Sequence, residues 1–248
     1  MAFDEVKKFD GGPWRGVGGA AMQWWMNFLR SLPLALFLLA QTHVCADDRA
    51  KGSEKWEKDI AAFEKADREH PPEKGGIVFV GSSSIRLWKT LAQDFPEHRV
   101  LNRGFGGSEV ADSVLFAERI VIAYTPRQVV LYAGGNDLNA GKSPEKVIAD
   151  FKAFAGKIRA ALPEAEIDYI SIAGNPARWG HVEKVKAVNS AIEAWIKEQP
   201  RMKFIDVFSQ MLGADGLPKP DIFVEDKLHM NAAGYAIWKE VVGPFLVK

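Results

Sequence analysis

Five short apolar runs, each set apart from the next by a helix-length segment, constrain this chain more than any other feature. They are the β-branched stretch that ends at Gly81, then Arg99 to Asn102, Gln128 to Ala133, Ile167 to Ile172 and Lys203 to Val207. No two-residue turn of the Asn-Gly or Asp-Gly kind joins any neighbouring pair, so hairpins are not expected. Short apolar strands that alternate with helices point to an α/β fold, a parallel sheet covered by helices on both faces.

The intervening segments carry helical spacing. Trp56, Ile60 and Phe63 follow Ser53, a plausible cap, and Pro71-Pro72 closes that helix. Leu87 to Phe95 is weakly helical. Ser108 is placed to cap a helix through Val110, Val114, Ala117 and Val121 that ends near Pro126. Ser143-Pro144 sets proline at the first helical position ahead of Val147, Phe151, Phe154 and Ile158. Val185, Val188, Ile192 and Trp195 form a further stripe, and Asn231 opens a last helix with Tyr235, Trp238 and Val242.

The first 46 residues read differently. A short positive flank, Met26 to Arg30, precedes the apolar run Leu32 to Ala40, and Val44-Cys45-Ala46 has the small residues of a cleavage site. The expectation is a leader over 1–46, translated from Met1, Met22 or Met26, with cleavage after Ala46 and export to the periplasm or medium. Retention by an uncleaved anchor, lengthened by Trp24-Trp25, is the alternative. Residues 47–248 then form one domain. Cys45 is the sole cysteine of the chain, so the mature protein has neither a disulfide nor a thiol nucleophile. With a formal net charge of zero and eight tryptophans unaccompanied by a basic stripe, nucleic acid is not an expected partner.

Several phosphate-binding motifs are incomplete. Gly104-Phe-Gly106 lacks the third glycine of a dinucleotide loop because position 109 is Glu, and Gly141-Lys142-Ser143 lacks the P-loop glycine because position 136 is Asn. The G-x-S-x-G elbow fails at Ile85. Four turns remain that a parallel sheet can gather at one edge: Gly81 to Ser84, Gly104 to Gly107, Gly134 to Asp137, and Asp226 to His229. The first delivers a hydroxyl from Ser82, Ser83 or Ser84 to the carboxyl end of a strand, where open α/β sheets bind ligands. In the last, an Asp three residues before a His can bond Nδ1 and leave Nε2 free to act as a base.

In that order, GSSSI, NRGFGG, GGND and DKLH resemble the blocks of the SGNH, or GDSL-type, hydrolase family of serine esterases and lipases, over Gly76 to Lys248. The resemblance implies a flavodoxin-like three-layer α/β/α sandwich whose five-stranded parallel sheet has the order 2-1-3-4-5. It selects Ser83 as nucleophile, Asp226 and His229 as its partners, and Ser83, Gly107 and Asn136 as oxyanion-hole donors. The family's usual Gly-Asp-Ser-Leu reads Gly81-Ser82-Ser83-Ser84 here, which bears on subfamily and substrate more than on chemistry.

The activity implied is hydrolysis of a small carboxylic ester: an acetylated sugar, a short-chain acyl ester or a lysophospholipid. An acyl- or acetyltransferase using the same residues, and a glycan-binding protein without turnover, are the alternatives. No cofactor or metal is expected. Arg178 and Trp179, in the loop after the fourth strand, are expected at the wall of the substrate pocket, although the Trp can equally serve packing. Asp137 is expected to stabilise its own turn through an Asx bond.

Overall fold

The computed structural model describes residues 54–248, so the leader, its cleavage site, Cys45 and Ser53 lie outside the described residues. Helix α1 spans residues 54–69. Thereafter the chain runs β1 Ile77–Gly81, α2 Ser83–Arg86, α3 Leu91–Asp94, β2 Val100–Gly104, α4 Val110–Ile120, β3 Gln128–Tyr132, α5 Gly135–Asn139 and α6 Pro144–Ala161. It continues through β4 Glu166–Ile170, a 3-10 turn Pro176–His181, α7 Val182–Ile196, β5 Met202–Ile205 and α8 Ala232–Val242.

All four strand pairings are parallel and the order is β2-β1-β3-β4-β5. Starting in the middle and winding outward both ways leaves β1 and β3 side by side, and their carboxyl ends form the crevice where the order reverses. Successive residues of β1 serve opposite faces. Val78 and Val80 join Val129, Leu131, Ile167 and Tyr169 in a core closed by Ile60 of α1, Phe116 of α4, Phe151 of α6 and Val188 of α7. Ile77 and Phe79 join Val130, Ile170 and Ile205 in a second core closed by Trp88, Phe95 and Trp238 of α8. The central strands β1 and β3 are buried on both faces and need no polar alternation, which is why they read as continuous apolar runs, whereas β2 and β5 at the edges are only part-buried.

Differences from expectation sit at the turns. The weak helix over 87–95 is a single turn, α3, and a separate single turn, α2, begins ahead of it at Ser83. The cap of α4 is Glu109, not Ser108: the Glu109 side chain accepts from the backbone of Asp112 while Asp112 accepts from Glu109 N at 2.8 Å. That reciprocal box satisfies two orphan helix donors at once, which a lone serine cannot do. The Gly134 turn runs on into a helix, α5, that carries Asn136. Asn231 does cap α8, accepting from Ala233 N at 2.9 Å and Gly234 N at 3.2 Å.

Candidate active site

Gly81 ends β1 at φ +133, and a Cβ there would stand 1.9 Å from the Tyr132 carbonyl oxygen, so only glycine permits the turn. The chain reverses into α2, where Ser82 N donates to Tyr132 O at 3.0 Å and Ser82 O accepts from Ile85 N and Arg86 N at 3.1 Å each. Those bonds lock the turn and place the three serines differently. Ser82 is buried at the helix cap, the Ser84 carbonyl accepts from Tyr235 Oη at 2.8 Å, and Ser83 Oγ lies 2.9 Å from His229 Nε2.

His229 comes from the loop between β5 and α8, which is pinched by an isolated antiparallel bridge between Phe223 and Met230. Val224 N donates to His229 O at 2.9 Å, and Lys227 turns the loop with a left-handed φ of +57. Asp226 Oδ1 accepts from Leu228 N and His229 N, both at 2.8 Å, and Oδ2 lies 2.6 Å from His229 Nδ1. The backbone donors and the imidazole together hold the Asp226 carboxyl down at about 2, so it is ionised at neutral pH. A carboxylate only accepts, so it claims the Nδ1 proton and leaves the Nε2 lone pair facing Ser83 Oγ. The carboxylate is 47% exposed, so water reaches it.

Gly107 follows β2 at φ +79, where a Cβ would come within 3.3 Å of the Trp56 ring of α1. Among the described residues neither Gly107 N nor Ser83 N donates to a protein acceptor. Asn136 Nδ2 donates to Ser108 O at 2.9 Å, which joins α5 to the Gly107 turn and leaves the second amide hydrogen unspent. Asp137 departs from the sequence expectation. Fully buried, it accepts from Val110 N at 3.1 and 3.3 Å and from Lys142 Nζ at 3.1 Å, so it ties α5 to the first turn of α4 instead of closing its own turn. Burial raises its pKa, and Lys142 draws it part of the way back.

Ser83, His229 and Asn136 line one cleft with a cavity volume of about 30 Å³, walled by Tyr132, Ile172, Met211 and Phe223. Arg178 belongs to this cleft, donating from Nη1 to Asn136 Oδ1 at 2.9 Å and to Gly135 O at 3.2 Å. Trp179 does not line it. Its ring stacks on Phe208 with centroids 6.5 Å apart and walls an adjoining cleft with Leu138 and Val185. The apolar walls come from strand ends and the β5–α8 loop, and no motif in the sequence marks them. Among the described residues no group of three or more His, Cys, Asp and Glu side chains is set to hold a metal ion, and no helix is long and apolar enough to cross a membrane.

Solved structures share this fold. A candidate platelet activating factor from Streptococcus pneumonia is 18% identical over 87% of this chain and 99% of its own, with a TM-score of 0.68. A GDSL-like lipase from Bacteroides thetaiotaomicron is 20% identical over 77% and 95%, with a TM-score of 0.61. A carbohydrate esterase family 3 protein from Talaromyces cellulolyticus is 20% identical over 69% and 95%, with a TM-score of 0.57. No curated protein matches the chain. The sequence model of the GDSL-like lipase/acylhydrolase family matches residues 78–237, and the chain accordingly belongs to that family of hydrolases acting on esters.

Proposed function

We propose that the protein hydrolyses short-chain carboxylic esters through an acyl-enzyme on Ser83. The observation that carries this reading is the continuous contact from Ser83 Oγ to His229 Nε2 at 2.9 Å and from His229 Nδ1 to Asp226 at 2.6 Å. Ser83 Oγ attacks the ester carbonyl as its proton passes to His229 Nε2, and the carbonyl π electrons move onto oxygen. Collapse of the tetrahedral intermediate breaks the carbon–oxygen bond, and His229 returns the proton to the leaving alcohol. Water then repeats the sequence on the acyl-enzyme and releases the acid. Asp226 keeps Nδ1 protonated and balances the imidazolium.

The oxyanion is received by Ser83 N, Gly107 N and the second Asn136 amide hydrogen, three donors left over by the protein's own bonding. Each is worth roughly 3 kcal/mol in such transition states. The cleft favours small acyl groups: its cavity volume is about 30 Å³, far below the roughly 300 to 1,000 Å³ of clefts that bury drug-sized ligands. Long-chain esters and lysophospholipids are therefore expected to be poor substrates.

The test is a panel of p-nitrophenyl esters from acetyl to palmitoyl, with acetylated sugars, run on wild type and Ser83→Ala. Acetate release that disappears in Ser83→Ala, with fluorophosphonate labelling mapped to Ser83, is the expected result. Labelling mapped to Ser82 or Ser84, or turnover that survives Ser83→Ala, refutes it. Adding a sugar alcohol distinguishes water from a carbohydrate hydroxyl as acceptor.

A further inference from the structure

We infer that Arg178 is a positioning residue for the reaction proposed at Ser83, holding the Asn136 amide so that an N–H, not the carbonyl oxygen, faces the developing oxyanion. A primary amide can turn over about its last torsion and exchange oxygen for nitrogen at little intrinsic cost. At Asn136 both ends are closed to that exchange. The Ser108 carbonyl can only accept, so it requires Nδ2, and the Arg178 guanidinium can only donate, so it requires Oδ1. A flipped amide would lose both bonds and set oxygen against oxygen and N–H against N–H. With the amide so fixed, one hydrogen is spent on Ser108 O and the other is available to the cleft. A cation on Oδ1 also polarises the amide and strengthens that remaining donor.

The loop that carries Arg178 is braced for this role. Asn175 Oδ1 accepts from Arg178 N at 3.0 Å, and Ala177 N donates to Lys227 O at 3.1 Å. Lys227 lies between Asp226 and His229, so one short turn, Pro176–His181, is bonded both to the Asn136 side and to the His229 side of the cleft. Among the described residues no carboxylate lies within 4.0 Å of the Arg178 guanidinium, and burial lowers its pKa with only the Tyr132 phenol opposing the effect. A half-buried cation kept without an ion pair is costly to retain for packing alone. Its observed hydrogen-bond acceptors are the Gly135 carbonyl and the Asn136 amide oxygen.

The inference rests on the acyl-transfer reading, and its test separates the two. For p-nitrophenyl acetate, Arg178→Ala should lower kcat about 10- to 100-fold, the span of a hydrogen bond to a charged group, with KM changed less than about threefold. Arg178→Lys should recover part of the loss. Asn136→Ala should lower kcat about 10²- to 10³-fold, and adding Arg178→Ala to it should cost little more, because Arg178 acts through that amide. Losses that multiply in the double variant, or a raised KM with kcat kept, overturn the inference in favour of direct substrate contact. The second readout needs no turnover: the Asn136 side-chain amide resonances, assigned by their loss in Asn136→Ala, should shift and exchange faster with water in Arg178→Ala. Unmoved resonances overturn the inference even if esters are not substrates. Absence of ester turnover and fluorophosphonate labelling in wild type refutes the acyl-transfer reading alone.

Discussion

Asp168, at the far side of the sheet from the cleft, should make the fold less stable as pH rises. It is fully buried on β4, where Oδ2 accepts from Gln128 Nε2 at 2.6 Å and Oδ1 has no partner. Its register partner on β5 is Lys203, which is exposed and offsets the burial only in part, so the carboxyl is pushed up to about 7. The folded state therefore binds a proton that the unfolded chain, titrating near 3.8, has released. Stability from this group is present below the unfolded value and is lost as pH rises through the folded one. A difference of about 3 units corresponds to roughly 4 kcal/mol at full titration, of which about 2.5 falls between pH 5 and 8. Asp168→Asn keeps an acceptor for Gln128 and removes the titration. Urea unfolding followed by tryptophan fluorescence at pH 5, 6, 7 and 8 should show wild type losing stability relative to Asp168→Asn by about 2 to 3 kcal/mol across that range. Parallel curves for the two proteins would mean that Asp168 is ionised when buried and that the reasoning is wrong.

Narrower predictions concern the cleft, from the structure, and the leader, from the sequence. Asp226→Asn should lower kcat by about 10²- to 10⁴-fold without unfolding the protein, because an amide N–H facing Nδ1 favours the tautomer whose Nε2 cannot accept from Ser83; near wild-type kcat removes Asp226 from the mechanism. Since the Asp226 carboxyl is held down at about 2, it stays ionised across the working range, so Asp226→Glu should keep the acid limb of the activity profile where wild type has it; an acid limb displaced by that substitution would show that Asp226 itself sets it. Gly107→Ala forces a side chain into φ +79 beside Trp56 and should cost about 1 to 2 kcal/mol of stability as well as kcat; a fully active, fully stable variant would show that the turn is not strained. Mass spectrometry of the exported protein should find Asp47 as the first residue, and a soluble cytoplasmic chain beginning at Met26 contradicts export.

The elements that were legible were those whose burial is periodic. Five apolar runs identified the parallel sheet because both of its faces are covered, and Ser143-Pro144 and Asn231 marked helix starts because their chemistry is local. The turns around Asn136 were not legible in the same way, because their partners are distant in sequence. Asp137 finds Val110, 27 residues away, and Arg178 finds Asn136, 42 residues away. Ser108 looked like a cap by type, yet Glu109 and Asp112 satisfy the helix donors, and only the Ser108 carbonyl has a part in the cleft.

The two ends of the sheet explain why one set of polar groups is open and the other sealed. At the carboxyl ends of β1 and β3 the chain turns away at Gly81 and Gly134, both at positive φ, so the strand termini are left uncovered and Ser83 and Asn136 line the cleft. At the amino ends the C-terminal segment closes over the strands. Gln128 Nε2 donates to Phe245 O at 2.8 Å, Val247 N donates to Gln128 Oε1 at 2.9 Å, and Asp168 is shut in beneath them. A carboxyl beside the open end can be ionised and wet, as Asp226 is, and a carboxyl under the closed end must keep its proton or weaken the fold. The chemistry of the two acids thus follows from which end of the sheet each occupies.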